Sequence, residues 1–367
     1  MIYFDHNATT PLDERVLEAM MPFLTTFYAN PSALYRAGRI ARSAIEAARE
    51  QVAALVDTTA AQVIFTSGGT ESNNLALQVP AIKSRVAISA TEHPCMTEPV
   101  MRLKHRGFAV ETFDVDTRGL IEQASFEQVS RLPLDFASIM LANNETGVIQ
   151  DVAVYADALR SQNVIVHSDA VQALGKMPVS FSKLKVHLLS LSAHKIYGPK
   201  GCGALIIEKG LSLEPMQLGG GQEKGIRPGT ENVAAIVGFG AAAEIAKAEL
   251  DQRHDHLLKL RQRLESGLKA LPGAVIFGHP DKRLPNTVQF GLYGVDGEML
   301  QMQLDTKGIA ISSGSACASG GGKPSPVLTA MKIAPELAKS AIRVSLGKDN
   351  TEAEVDDFLN RLTHFLL

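Results

Sequence analysis

Two segments of this 367-residue chain finish apolar runs with groups that could do chemistry together. "HSDAVQ" puts Asp169 just past "NVIVH" (163–167), and "LSLSAHKIYGPKG" puts Ser192, His194 and Lys195 at and past the end of "VHLLSLS" (186–192). If the two runs are neighbouring buried strands, a carboxylate and an amine arrive at one sheet edge, either as a structural ion pair or as working groups. A third segment, "TSGGTESNN" (66–74), follows the apolar "VIF" and precedes a helical pattern. Gly68 and Gly69 let the backbone turn there, while Thr70 and the amides at the helix start face a common point, which makes an anion cradle. Alone, such a segment is more often just a turn. It has neither the G-x-G-x-x-G spacing of a dinucleotide site nor a closing Gly-Lys-Ser/Thr. Joined, the three segments offer an amine for a Schiff base, a carboxylate for a pyridinium nitrogen and donors for a phosphate, which together are what pyridoxal phosphate requires.

"SSGSACASGGG" (312–322) adds a thiol, Cys317, among small and flexible residues that give it no wall to pack against. It is either a free thiol without a task or a mobile nucleophile. The other two cysteines read differently: Cys202, in "KGCGALII", as packing in a strand, and Cys95, two residues after His93 and able to approach a bound cofactor, as structural. His254 and His256, in "QRHDH", diverge on a helix at i and i+2, so exposure is expected rather than a metal pair.

These groups need a scaffold. Short β-branched runs at 63–67, 85–89, 136–141, 163–167, 186–192 and 203–208 alternate with helical patterns, which predicts a mostly parallel sheet wrapped by helices with its ligands at the strand ends. After the glycine-rich "GGGQEKGIRPGTEN" (219–232) one long helical pattern runs to about Leu271, and a domain boundary is expected near Gln252. With 45% hydrophobic residues the chain can bury a sizeable core, and 36 Lys+Arg against 39 Asp+Glu, without a basic block, argue against nucleic acid or a membrane surface as partner. Three cysteines without a C-x-x-C pair make a disulfide framework or a cysteine zinc site unexpected. The amino terminus, "MIYFDHNATT", resembles no secretory signal, and "VAAIVGFGAAAEIA" is too short to span a bilayer, so a cytoplasmic protein is expected.

In sequence order, "YFDHNATTP" (3–11), "NPSA" (30–33), "FTSGGTESNNLA" (65–76), "TEHPCM" (91–96), "NNETGVIQD" (143–151), "HSDAVQALGK" (167–176), "SAHKIYGPKG" (192–201), "GGGQEKGIRPGTEN" (219–232), "SSGSAC" (312–317) and "AIRVSLG" (341–347) resemble the cysteine desulfurases of the NifS/IscS type, in the class-V aminotransferase group. The resemblance implies an α/β, fold-type I pyridoxal-phosphate enzyme: a large domain (16–252) with a mostly parallel seven-stranded sheet, a smaller α/β domain (253–367) carrying the Cys317 loop, and an N-terminal segment (1–15) packing with the latter. It implies that Lys195 holds pyridoxal 5'-phosphate covalently and later moves protons, that Asp169 keeps the ring nitrogen protonated, that His93 stacks on the ring and serves as acid or base, and that Gln172 bonds the ring hydroxyl. Thr70, with the backbone at Gly69, Ser192 and His194, would hold the phosphate, and Thr230 would reach the partner's phosphate across a homodimer. Asn144 and Arg343 would grip the carboxylate of L-cysteine, Arg343 pointing away from the apolar Ile342, Val344 and Leu346. Cys317 would take the sulfur as a persulfide, giving alanine, and hand it to an acceptor, an iron-sulfur scaffold or another protein. No metal site is implied beyond an iron-sulfur contact through Cys317. Selenocysteine cleavage, another class-V aminotransferase activity and a noncatalytic sulfur-relay subunit are the alternatives. Where the family commonly has Ala, Gly and a less constrained residue, this chain has Gly69, Ala193 and Pro228. Its loop after Cys317 is long, and its end at "LTHFLL" falls short of the tail with which housekeeping members dock the scaffold, which leaves that delivery open.

Overall fold

The computed structural model describes residues 1–79, 81–313 and 324–366. In chain order the strands are β1 (Ile2–Tyr3), β2 (Val63–Thr66), β3 (Arg85–Ser89), β4 (Ala109–Phe113), β5 (Phe136–Ser138), β6 (Ile165–Asp169), β7 (Leu188–Ser192), β8 (Gly203–Ile207), β9 (Ala274–Phe277), β10 (Thr287–Leu292), β11 (Ile309–Ala310), β12 (Ser312–Ser313) and β13 (Ile342–Ser345). Seven of them form the main sheet in the order β2-β8-β7-β6-β5-β3-β4. Only β8 runs antiparallel to its neighbours.

The continuous apolar runs form strands here because both faces are covered. Val63, Phe65, Leu189, Leu191, Ala204 and Ile206 pack on one side with Ile45, Val52 and Phe239 of the helices Arg36–Leu55 and Val233–Ala248. Their alternates Ile64, Leu188, Leu205 and Ile207 pack on the other with Leu75 and Met96, as the two-residue period of a strand requires. The expected strand at 136–141 stops at Ser138. Strand β4 escaped the sequence reading because "AVETF" carries a charge and is only partly covered.

The helical pattern expected as one piece from 233 to 271 is two helices, Val233–Ala248 and Leu250–Lys269, meeting at Glu249. The carboxylate of Glu249 accepts from Arg15 at 2.6 Å and from Arg253 at 2.7 Å, so ion pairs hold the break. A second sheet, β12-β13-β10-β9, has its own apolar cluster, built from Leu257, Leu260, Val288, Phe290, Ile342, Val344, Phe358 and others. Phe4 belongs to that cluster, and β1 pairs in parallel with β11. Among the described residues no helix is long and apolar enough to cross a membrane.

Candidate active site

Parallel strands deliver their C-terminal ends to one edge, and three of them deliver the expected chemistry. The register pairs Asp169 of β6 with Ser190 of β7, so Lys195, in the tight turn after β7, lies on the same side as Asp169. The turn after β2 joins them because β8 begins with glycine: a Cβ on Gly203 would come within 2.6 Å of Gly68 Cα. Gly68 itself holds φ at +153°, where a side chain is strained.

Between these ends lies a cavity of about 480 Å³ whose lining includes Gly69, Thr70, His93, Asn144, Asp169, Gln172, Ser192, His194, Lys195 and Arg343. Ten of the expected site residues therefore converge. Thr230 does not line it and is exposed, in the turn before the helix Val233–Ala248. Cys317 lies outside the described residues, although Ser312, five positions before it, forms part of the wall.

The buried Asp169 carboxylate accepts the Val171 N–H at Oδ1 (2.8 Å) and Asn73 Nδ2 at Oδ2 (2.6 Å), which fixes its plane while leaving acceptor capacity on both oxygens. Lys195 Nζ donates to the backbone carbonyls of Asn7 and, at 2.6 Å, Ala8. Gln172 Nε2 shares the Asn7 carbonyl at 2.9 Å, and its Oε1 accepts from Lys176 at 2.9 Å. Burial holds the Lys176 amine well below its ordinary range, with Lys195 and Arg343 adding to the effect. The Arg343 fork is buried, with Nη2 2.7 Å from Asp5 and Nη1 donating to the Asn144 carbonyl at 3.1 Å. A surface arginine is thereby excluded.

His93 caps the helix Pro94–His105, its Nδ1 accepting the Cys95 N–H at 3.1 Å. Burial lowers its basicity against the pull of Asp169, and Lys195 and Arg343 lower it further. His194 is bonded to Thr9 Oγ1 at 3.1 Å, and burial with the nearby Lys195, Lys200 and Lys176 takes it down to about 4.

The residues fit a phosphate-bearing aldehyde with a ring nitrogen. Ser192 lines the cavity, and its Oγ is buried and has no hydrogen-bond partner among the described residues; it lies beside the first turn of the helix Gly69–Ala76, whose leading amides are the orphan donors of any helix start. A buried hydroxyl is costly to leave unpaired, and a bound anion would satisfy it.

Several residues escaped the sequence reading. Asp5, Asn7 and Ala8 reach the wall from the N-terminal segment. Their signal was the run of polar residues following the apolar Phe4. Cys95, expected as structural though near enough to approach a cofactor, lines the cavity, its Sγ 2.9 Å from both Asn73 Nδ2 and His93 Nδ1, because the helix it opens is capped from inside the site. Burial, aided by Asp169, pushes this thiol up to about 12. Cys202 is buried in the main core as expected. His256 bonds the Asn350 carbonyl at 2.9 Å, whereas His254 faces Asp255 at 3.3 Å.

The profile of the aminotransferase class-V family matches residues 2–358. A relative from Methanosarcina thermophila, cysteine desulfurase IscS, is 41% identical over 363 residues, covering 98% of this chain and 90% of the relative. The chain belongs to the class-V aminotransferase family, among its cysteine desulfurases. Among solved structures, a NifS-like protein superposes with a TM-score of 0.92 at 39% identity, over 100% of this chain and 99% of the other. SspA in complex with cysteine gives a TM-score of 0.82 at 31% identity, covering 96% and 100%. The enzyme thus has the family's fold, a mostly parallel sheet in an α/β frame.

Proposed function

We propose that this enzyme uses pyridoxal 5'-phosphate held by Lys195 to convert L-cysteine to L-alanine, the sulfur passing to Cys317 as a persulfide. The observation that carries the reading is the convergence on one cavity of the Lys195 amine, the fixed Asp169 carboxylate and the Ser192 hydroxyl, which has no partner among the described residues. When bound, the cofactor supplies an electron sink for the substrate's α-carbon. The chain does the rest. Asp169 would hold the ring nitrogen, and Thr70, Ser192, His194 and the amides near Gly69 would hold the phosphate. His93 would stack on the ring, and Gln172, steadied by Lys176 and the Asn7 carbonyl, would bond the ring hydroxyl.

Arg343 and Asn144 hold the substrate carboxylate, for which a planar fork is suited. Lys195 Nζ would take the proton from the substrate's α-carbon and return it, with the carbonyls of Asn7 and Ala8 holding the amine in place. The Cys317 thiolate then attacks the substrate sulfur, the Cβ–S bond breaks and a proton is delivered to the departing carbon, so that the atoms of cysteine appear as alanine plus one sulfur on the protein. The persulfide passes to an acceptor, an iron-sulfur scaffold or another protein. Thr230, exposed and away from the cavity, is assigned to the partner's phosphate in a homodimer.

Borohydride reduction of the purified enzyme followed by peptide mass analysis tests the reading. A pyridoxyl adduct on Lys195, with equal alanine and sulfide from L-cysteine under reductant, is expected; no adduct on that residue overturns it.

A further inference from the structure

Cys95 has no part in the chemistry above, yet its thiol stands in a hydrogen-bonded chain joining the two groups assigned to the ring. Asn73 Nδ2 donates to Asp169 Oδ2 at 2.6 Å and to Cys95 Sγ at 2.9 Å. The sulfur lies 2.9 Å from His93 Nδ1, and that nitrogen also accepts the Cys95 backbone N–H. A ring nitrogen that accepts an N–H carries no proton, so this bond orders the whole chain. Nδ1 is bare, the thiol donates to it, the sulfur accepts from Asn73, and the ring proton sits on Nε2.

We propose that Cys95, with Asn73, is a positioning residue that locks His93 as the neutral Nε2–H tautomer and links it to Asp169, so that His93 meets the reacting centre as a hydrogen-bond donor and not as a base. Only what His93 faces rests on the cofactor reading; the proton's position does not.

The groups around His93 act together. Asp169 favours a charged ring, whereas burial, Lys195 and Arg343 oppose it. The helix Pro94–His105 presents its positive end to His93, which opposes charge as well. Glu92, the residue before it, is buried and held toward its neutral form by burial and Asp169, so it offers little counter-charge. Protonating Nδ1 would in addition break the helix cap and the thiol bond. A base at this position needs a bare Nε2, which the chain denies.

The test is two-bond proton–nitrogen spectroscopy of the full chain labelled with ¹⁵N-histidine, with and without cofactor, from about pH 5.5 to 9, a range that brackets the ordinary histidine value. The His93 signals are those lost in His93→Gln. Wild type should show the Nε2–H pattern throughout. Cys95→Ala keeps the backbone N–H but loses the thiol donor and should raise the proton affinity of His93 about five-fold, the scale of one hydrogen bond. Cys95→Ser, which keeps a donor and an acceptor, should return toward wild type. A wild-type Nδ1–H pattern, an ordinary midpoint near pH 6.5, an alanine variant identical to wild type or a serine variant identical to alanine would each overturn the proposal. Because the tautomer is also read without cofactor, a missing adduct at Lys195 leaves this test standing.

Discussion

Replacing Arg343 with lysine keeps the charge and removes the fork. Its side chain is 6% exposed, against 21% for its partner Asp5, and both residues line the cavity. The guanidinium sends one nitrogen to Asp5 and the other to the Asn144 carbonyl, which aligns two donors in a plane. An ammonium supplies a point charge, and a substrate carboxylate held in two-point contact loses one charge-assisted bond. Such a bond contributes about 2 kcal/mol, which predicts a loss of roughly 30-fold in kcat/KM for L-cysteine. The fold should tolerate the change. The Asn144 carbonyl retains Asn7 Nδ2 at 3.1 Å as a second donor, and Asp5 remains within reach of an ammonium. Alanine formation measured against L-cysteine concentration, with cofactor loading checked by absorbance and folding by thermal melting, separates the outcomes. A lysine variant within about three-fold of wild type, a change smaller than one ordinary hydrogen bond, would refute the two-point contact. So would a deficit that vanishes once activity is divided by cofactor content.

A Cβ on Gly69 would meet Val171 Cγ2 at 2.9 Å, so Gly69→Ala should weaken cofactor binding several-fold, the order of a modest overpacking cost, and the double variant Gly69→Ala/Val171→Ala should recover it; equal cofactor affinity in wild type and Gly69→Ala refutes this. Glu92 accepts the Met140 N–H at 2.6 Å, and burial with Asp169 raises its carboxyl from the ordinary carboxylate range to about 8. The native state then keeps a proton that the unfolded chain releases, so this contribution to stability is complete below the unfolded value and fades as pH rises toward 8, by roughly 1 kcal/mol per pH unit. Urea unfolding between pH 5 and 8.5 should show this decline and a flatter curve for Glu92→Gln; parallel curves would contradict it.

The strands were legible because burial on both faces leaves an uninterrupted apolar signature, and the strand ends located Asp169 and Lys195 without further information. Positions set by distant contacts were less legible. Nothing near "AIRVSL" says whether Arg343 meets solvent or Asp5, since the answer lies 338 residues away in sequence. Cys95 read as structural although His93 stands two residues before it, because a cysteine beside proline at a helix start carries no mark of the histidine ring folding back onto its sulfur. The break at Glu249 was invisible for a related reason: the arginine that holds it from outside, Arg15, is in another helix.

The N-terminal segment shows why those contacts are not incidental. Phe4 is buried in the apolar cluster of the second sheet, and Ser345 of β13 donates its N–H to the Phe4 carbonyl. Three residues later Asn7 crosses to the main sheet, and its Nδ2 binds Thr287 Oγ1 of β10 and the Asn144 carbonyl while its own carbonyl takes Gln172 and Lys195. One short stretch therefore anchors in one core and orients the amine at the edge of the other. Lys195 lies on a tight turn of the main sheet and Arg343 on the second sheet, so the separation between the amine and the guanidinium is fixed by how the sheets are tied. A carboxylate and an α-carbon are adjacent atoms in an amino acid, and they can meet Arg343 and Lys195 together only if that separation is held. The N-terminal segment holds it from both sides, the Asp5 carboxylate pairing with Arg343 while the backbone carbonyls of Asn7 and Ala8, whose positions follow from the chain path, receive Lys195.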